Sequence, residues 1–77
     1  MGSFNDEVID AIARHIEVKQ PEYIRSSHIA IGYSTSEIGQ HIGALERGVL
    51  SIDGIDIERW NSENSKVGTW KVVYSDD

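Results

Sequence analysis

The hydrophobic period changes once along this chain, near Leu50, and that change limits what the chain can become. Before it, apolar residues recur every three to four positions: Val8, Ile9, Ile12 and Ile16, then Ile38, Ile42 and Leu45. Such spacing places side chains on one stripe of a helix. After it, "IDIERW" (55–60) and "TWKVVY" (69–74) are rich in branched and aromatic residues, with the alternation of strands. Helices come first and a hairpin last, so the expected class is α+β. With 77 residues there is room for one domain, spanning 1–77.

The helix limits follow from capping chemistry. Asp6, Glu7 and Asp10 suit the positive end of a first helix over about 5–19. Pro21 ends it, because the residue before a proline avoids helical angles. Ser26-Ser27 reads as a second cap before Ile29, Ala30 and Ile31, with a break at Gly32, giving a short helix over 26–31. Ser34 or Thr35 caps a third helix over 35–47, with Glu37 in a capping-box position relative to Ser34 and Gly48 as its stop. Ser36, Gln40, Gly43 and Arg47 fall opposite its apolar stripe.

Charge and composition narrow the function. Thirteen acids stand against seven Lys and Arg, a net charge of −6. Nucleic-acid binders usually carry a basic excess, so the whole-chain balance counts against such a partner. The segment 60–74 nonetheless holds Lys66 and Lys71 against Glu63 alone, with Arg59 just before it. With no cysteine, disulfides and thiolate-bound metal are excluded. No apolar run nears the roughly 18 residues of a membrane span. The start, "MGSFNDEV", lacks the basic and apolar regions of a secretory signal. A cytoplasmic location is expected. His28 and His41 have no metal-ligand spacing, His15 with Glu17 reads as helix surface, and the acids are not paired on one element. No metal, cofactor or small-molecule ligand is indicated, and no enzyme is expected. Trp60 and Trp70 read as packing residues of the strands.

The stretch "SSHIAIGYSTSEIGQHIGALERGVL", followed by "IERW" and "TWKV", resembles winged helix-turn-helix transcription regulators, and more narrowly small winged-helix proteins of haloarchaea. The resemblance covers Tyr23 to Val72. It implies three helices followed by a C-terminal β-hairpin wing, with strands over 55–60 and 69–74. It also implies sequence-specific binding of double-stranded DNA by a transcriptional regulator of a halophilic archaeon or its virus. One departure stands out: only "IGY" separates Ala30 from Ser34, about two residues fewer than in the family, so the second helix should be clipped or its turn recast. Z-DNA-binding winged-helix domains share a Trp-Lys-hydrophobic strand, but present an Asn and a Tyr where this chain has Gly39 and Gly43.

For a third helix in the major groove, residue chemistry assigns the roles. Gln40 suits adenine N6/N7, and Arg47 suits guanine or phosphate. Ser34, Thr35 and Ser36 at the helix N-terminus suit phosphates. Arg25, Ser26 and Ser27 would do the same at the second helix. In the wing, Lys66 with Asn61, Ser62, Asn64 and Ser65 would reach backbone or minor groove, with Arg59 and Lys71 in support. Each helix-interior glycine costs about 1 kcal/mol relative to alanine. Gly39 is therefore expected to pack tightly beside the core, and Gly43 to let a partner approach the helix backbone. The contact area of a lone module is small, which leaves room for a homodimer. The competing reading is a winged-helix protein–protein interaction module whose acidic surface is the contact.

Overall fold

The computed structural model describes residues 4–29, 32–59 and 69–75. Two α-helices and a three-stranded antiparallel sheet enclose one core. In chain order they are α1 (Asp6–Lys19), β1 (Tyr23–Arg25), a 3₁₀ turn (Ser26–His28), α2 (Thr35–Arg47), β2 (Ile55–Arg59) and β3 (Thr69–Tyr74). The sheet order is β1-β3-β2, so the last strand lies in the middle.

Capping sets both helices. The Asn5 side chain accepts from the Glu7 N–H at 2.9 Å, and acids occupy the first turn of α1. That helix stops at Gln20, held in the left-handed region (φ 48°, ψ 54°) with its N–H bonded to the Ile16 carbonyl. Ser34 Oγ accepts from the Glu37 N–H at 3.1 Å and opens α2. Gly48 closes it at φ 81°, where the Val49 N–H reaches the Ala44 carbonyl at 2.9 Å. This six-to-one bond is the usual glycine-terminated helix end, and a β-carbon would be strained there.

Val8, Ile12 and Ile16 from α1 meet Ile38, Ile42 and Leu45 from α2. Ile24, Ile57 and Val72 close the core from the sheet, one from each strand, and Ile29 joins from the loop after the turn. Burying each such side chain contributes roughly 1.5–3 kcal/mol. His41 is the one buried polar residue among those described. The Asn5 N–H donates to His41 Nε2 at 2.9 Å, while Nδ1 lies 2.8 Å from the Glu37 carbonyl. Nε2 therefore accepts and Nδ1–H donates, which selects one neutral tautomer. The Phe4 ring packs edge-on against the imidazole at 5.2 Å. Asn5 Nδ2 also donates to the Tyr33 hydroxyl, which donates in turn to Glu7. These bonds pin the start of α1 onto α2.

The expected arrangement, a winged helix-turn-helix of three helices followed by a hairpin wing, is not what the chain forms. Where a helix over 26–31 was expected there is one 3₁₀ turn of three residues, and Ile29 after it is extended (φ −100°, ψ 108°). The His28 ring contributes to this ending, since its Nδ1 accepts the Arg25 N–H at 3.3 Å. The short connection to Ser34 leaves little length for a helix and a turn together. A strand that the sequence did not announce, β1, pairs with β3 through Tyr23↔Lys71, Ile24↔Trp70 and Arg25↔Thr69. The result is a three-stranded sheet rather than a free-standing hairpin.

Candidate nucleic-acid interface

Strand alternation separates the cationic residues. Ile24, Ile57 and Val72 point into the core, so their neighbours Tyr23, Arg25, Asp56, Glu58, Lys71 and Val73 lie on the outer face of the sheet. Lys71 there sits opposite Glu58 on one side and Tyr23 on the other. Arg25 Nε donates to Thr69 Oγ1 at 2.9 Å, which ties its guanidinium to the sheet. Arg59 pairs with Trp70 at the end of β2 and is exposed. Trp70 turns toward α2, its Nε1–H donating to Glu46 Oε1 at 3.0 Å, and it is half-buried against the core. Asn64 and Lys66, with Trp60, lie outside the described residues.

The exposed edge of α2 is a narrow polar ridge. Ser34, Thr35, Ser36, Gln40 and Arg47 are exposed along it. None is acidic, and all carry hydrogen-bond donors. Ser34 keeps its hydroxyl proton free to donate outward, because the cap uses only a lone pair of Oγ. The acids of α2 sit off the ridge: Glu37 is half-buried, and the Glu46 carboxylate accepts from Trp70.

Gly43 lies between Gln40 and Arg47 on this ridge, yet it is buried. A β-carbon built on it would stand 3.3 Å from Arg47 Nη1. The Arg47 side chain thus folds back along the helix and roofs Gly43, in the direction helical side chains lean. A partner reaching the Gly43 backbone must first displace that guanidinium. Gly39 faces Ser26 and Trp70, where its β-carbon would meet Ser26 Oγ at 3.8 Å and Trp70 Cη2 at 3.9 Å. Those are ordinary van der Waals separations, so the location is as expected but the packing does not require a glycine. Ser26 is half-buried beside it.

No family model, curated protein or solved structure matches the chain. The geometry itself therefore carries the functional reading. Among the described residues no group of three or more His, Cys, Asp or Glu could hold a metal ion, and no helix is long and apolar enough to cross a membrane.

A second surface escaped the sequence reading. Glu7, Asp10, Ala11, Arg14, His15, Val18 and Lys19 of α1 line an open groove of about 440 Å³ with His28 and Ile29. The His15 and His28 rings stack across it, centroids 6.1 Å apart and planes at 30°. Burial lowers the His15 pKa, and the nearby His28 and Lys19 lower it further. The spacing of 7, 11, 14 and 18 was the available signal, a second stripe beside the core stripe. Only Ala11 and Val18 in it are apolar, too few to mark a stripe.

Proposed function

We propose that this protein binds double-stranded DNA sequence-specifically, as a transcriptional regulator, by laying the exposed ridge of α2 in the major groove. One observation carries the reading. On a chain of net charge −6, the exposed edge of α2 holds no acid, and each polar side chain along it carries a donor. Ser34, Thr35 and Ser36 meet phosphates at the positive end of the helix. Gln40 pairs with adenine N6 and N7, and Arg47, swung off Gly43, takes guanine O6 and N7. The surrounding acidity fits a protein working in concentrated salt, where surface charge is screened within about 3 Å at 1 M. Binding there rests on shape and hydrogen bonding, so the salt dependence is shallow.

The second reading, a protein-interaction module, is favoured by one observation of its own. Arg25 and Lys71 lie on the outer sheet face and do not gather beside α2. A duplex-binding titration at several salt concentrations separates the two. Gln40→Ala is expected to relax preference at one base position at a cost of about 1–3 kcal/mol, and Lys66→Ala to weaken all duplexes alike. Failure of the wild type to bind any duplex at any salt concentration sinks the DNA reading and leaves the interaction module.

A further inference from the structure

Between two buried residues, Ile24 and Ile29, the chain forms a strap: Arg25 and the 3₁₀ turn Ser26–His28. Strand pairing leaves the head of that strap without a backbone partner. The Val72 N–H bonds the Glu22 carbonyl at 2.9 Å, so Glu22 and Ile24 turn their peptide groups toward β3. Alternation then points the Arg25 N–H off the free edge of β1. Among the described residues its acceptor is a side chain, His28 Nδ1, at 3.3 Å. The same ring stacks on His15 of α1, centroids 6.1 Å apart. One imidazole thus holds the strap at two points, to its own strand and to α1.

Both holds weaken when protons arrive. Nδ1 accepts from Arg25 only while unprotonated, because an imidazolium has two donors and no acceptor. Two stacked rings that both bind protons repel each other. The charged groups around the pair do not relieve this. On α1, Lys19 stands one turn beyond His15, and Arg14 is its chain neighbour along the groove. The acids of that groove, Asp10 and Glu7, lie about 7.5 and 12 Å before His15 along the helix. Asp10 already faces Arg14 at 3.9 Å. The Arg25 guanidinium is held on the outer sheet face by Thr69 Oγ1. From α2 the turn meets Gly39, which carries no charge.

We propose that the His15–His28 stack is a proton-operated latch, which holds the Ser26–His28 turn down at neutral pH and releases it as the histidines charge. The release is local. Ile24 and Ile29 keep both ends of the strap in the core, while the turn parts from α1 and Ser26 parts from Gly39 of α2. The His15 pKa is lowered, first by burial and then by His28 and Lys19, and this gives the sign. The latch is closed above the ordinary histidine value and opens as pH falls through the lowered one. It stands whether or not the α2 ridge binds DNA.

NMR of the full chain, titrated from about pH 8 to about pH 5, tests it. Across the histidine transition the Arg25 N–H should lose about fivefold in protection from solvent exchange, the worth of one net hydrogen bond. The Ser26 signals should move with it. Amides in the middle of α1 and α2 should keep their protection, which separates opening of the latch from unfolding. His28→Ala, at an exposed position, should leave the Arg25 N–H unprotected throughout and raise the His15 midpoint by removing one cause of its lowering. An Arg25 N–H equally protected at both ends of the titration overturns the inference. So does a pH response of Arg25 that persists in His28→Ala, or a His15 midpoint that this substitution leaves in place.

Discussion

Replacing Gly39 by alanine tests the packing of α2 most directly. Glycine in a helix interior costs about 0.8–1.0 kcal/mol relative to alanine, because the unfolded chain loses more freedom on folding. The added β-carbon meets Ser26 Oγ at 3.8 Å, Ser26 Cβ at 3.9 Å and Trp70 Cη2 at 3.9 Å, all without overlap. Each such contact contributes roughly 0.1–0.2 kcal/mol of dispersion. Nothing on the other side of the ledger offsets these gains, so Gly39→Ala should stabilise the fold by about 1 kcal/mol. For a domain of this size that raises Tm by roughly 4–8 °C. Thermal unfolding followed by circular dichroism at the helix band reads the shift, and urea titration should show a higher midpoint at unchanged slope. A lowered Tm would refute the reasoning. It would mean that α2 sits closer to the 3₁₀ turn and Trp70 than these distances allow, and that the glycine is there for close approach.

Three further expectations can be checked on the same instruments. Gly43→Ala presses only on the flexible tip of Arg47 at 3.3 Å, so it should stabilise by about 0.5–1 kcal/mol. It should also weaken duplex binding if the helix backbone is approached there; unchanged affinity would show that no partner reaches Gly43. Gln20→Gly relieves a left-handed residue at φ 48° and should stabilise by about 0.5–1 kcal/mol, and a loss of stability would mean that the Gln20 side chain holds α1 to the following strand. His15 has its folded pKa lowered below the unfolded 6.5, so its contribution is present above that value and is lost as pH falls through the lowered one. Tm measured from about pH 7.5 down to pH 5 should therefore fall less in His15→Gln than in the wild type, and parallel curves would contradict the assignment.

How much of this was legible in the chain depends on the length of each pattern. The α1 helix announces itself by four apolar residues at helical spacing, acids at the start and Pro21 after it. The α2 helix does so by the Ser34 cap and Gly48, and both its ends lie where that chemistry puts them. The paired strands β2 and β3 lie where period-two alternation begins. Residues 23–29 were misread, and Ala30 and Ile31, the end of the expected second helix, lie outside the described residues. Three residues are too few to show an alternation, so β1 left no signal, and Ser26-Ser27 with a run of apolar residues imitates a capped helix. Packing decided that segment, because β1 gains the free edge of β3 and buries Ile24, which a second helix there would forgo.

The candidate site divides along the same line. The sequence alone determined which residues share the exposed edge of α2, since helical geometry is local and repeats every 3.6 residues. Only the tertiary structure decided what lies against that edge. Arg25 and Lys71 face outward because strand pairing, a contact between distant residues, sets their register. Arg47 covers Gly43, and His41 is consumed by a bond to Asn5 thirty-six positions away. Periodicity reports the direction of a side chain on its own element. Its neighbours come from other elements, and the angular pattern of one helix holds no record of them.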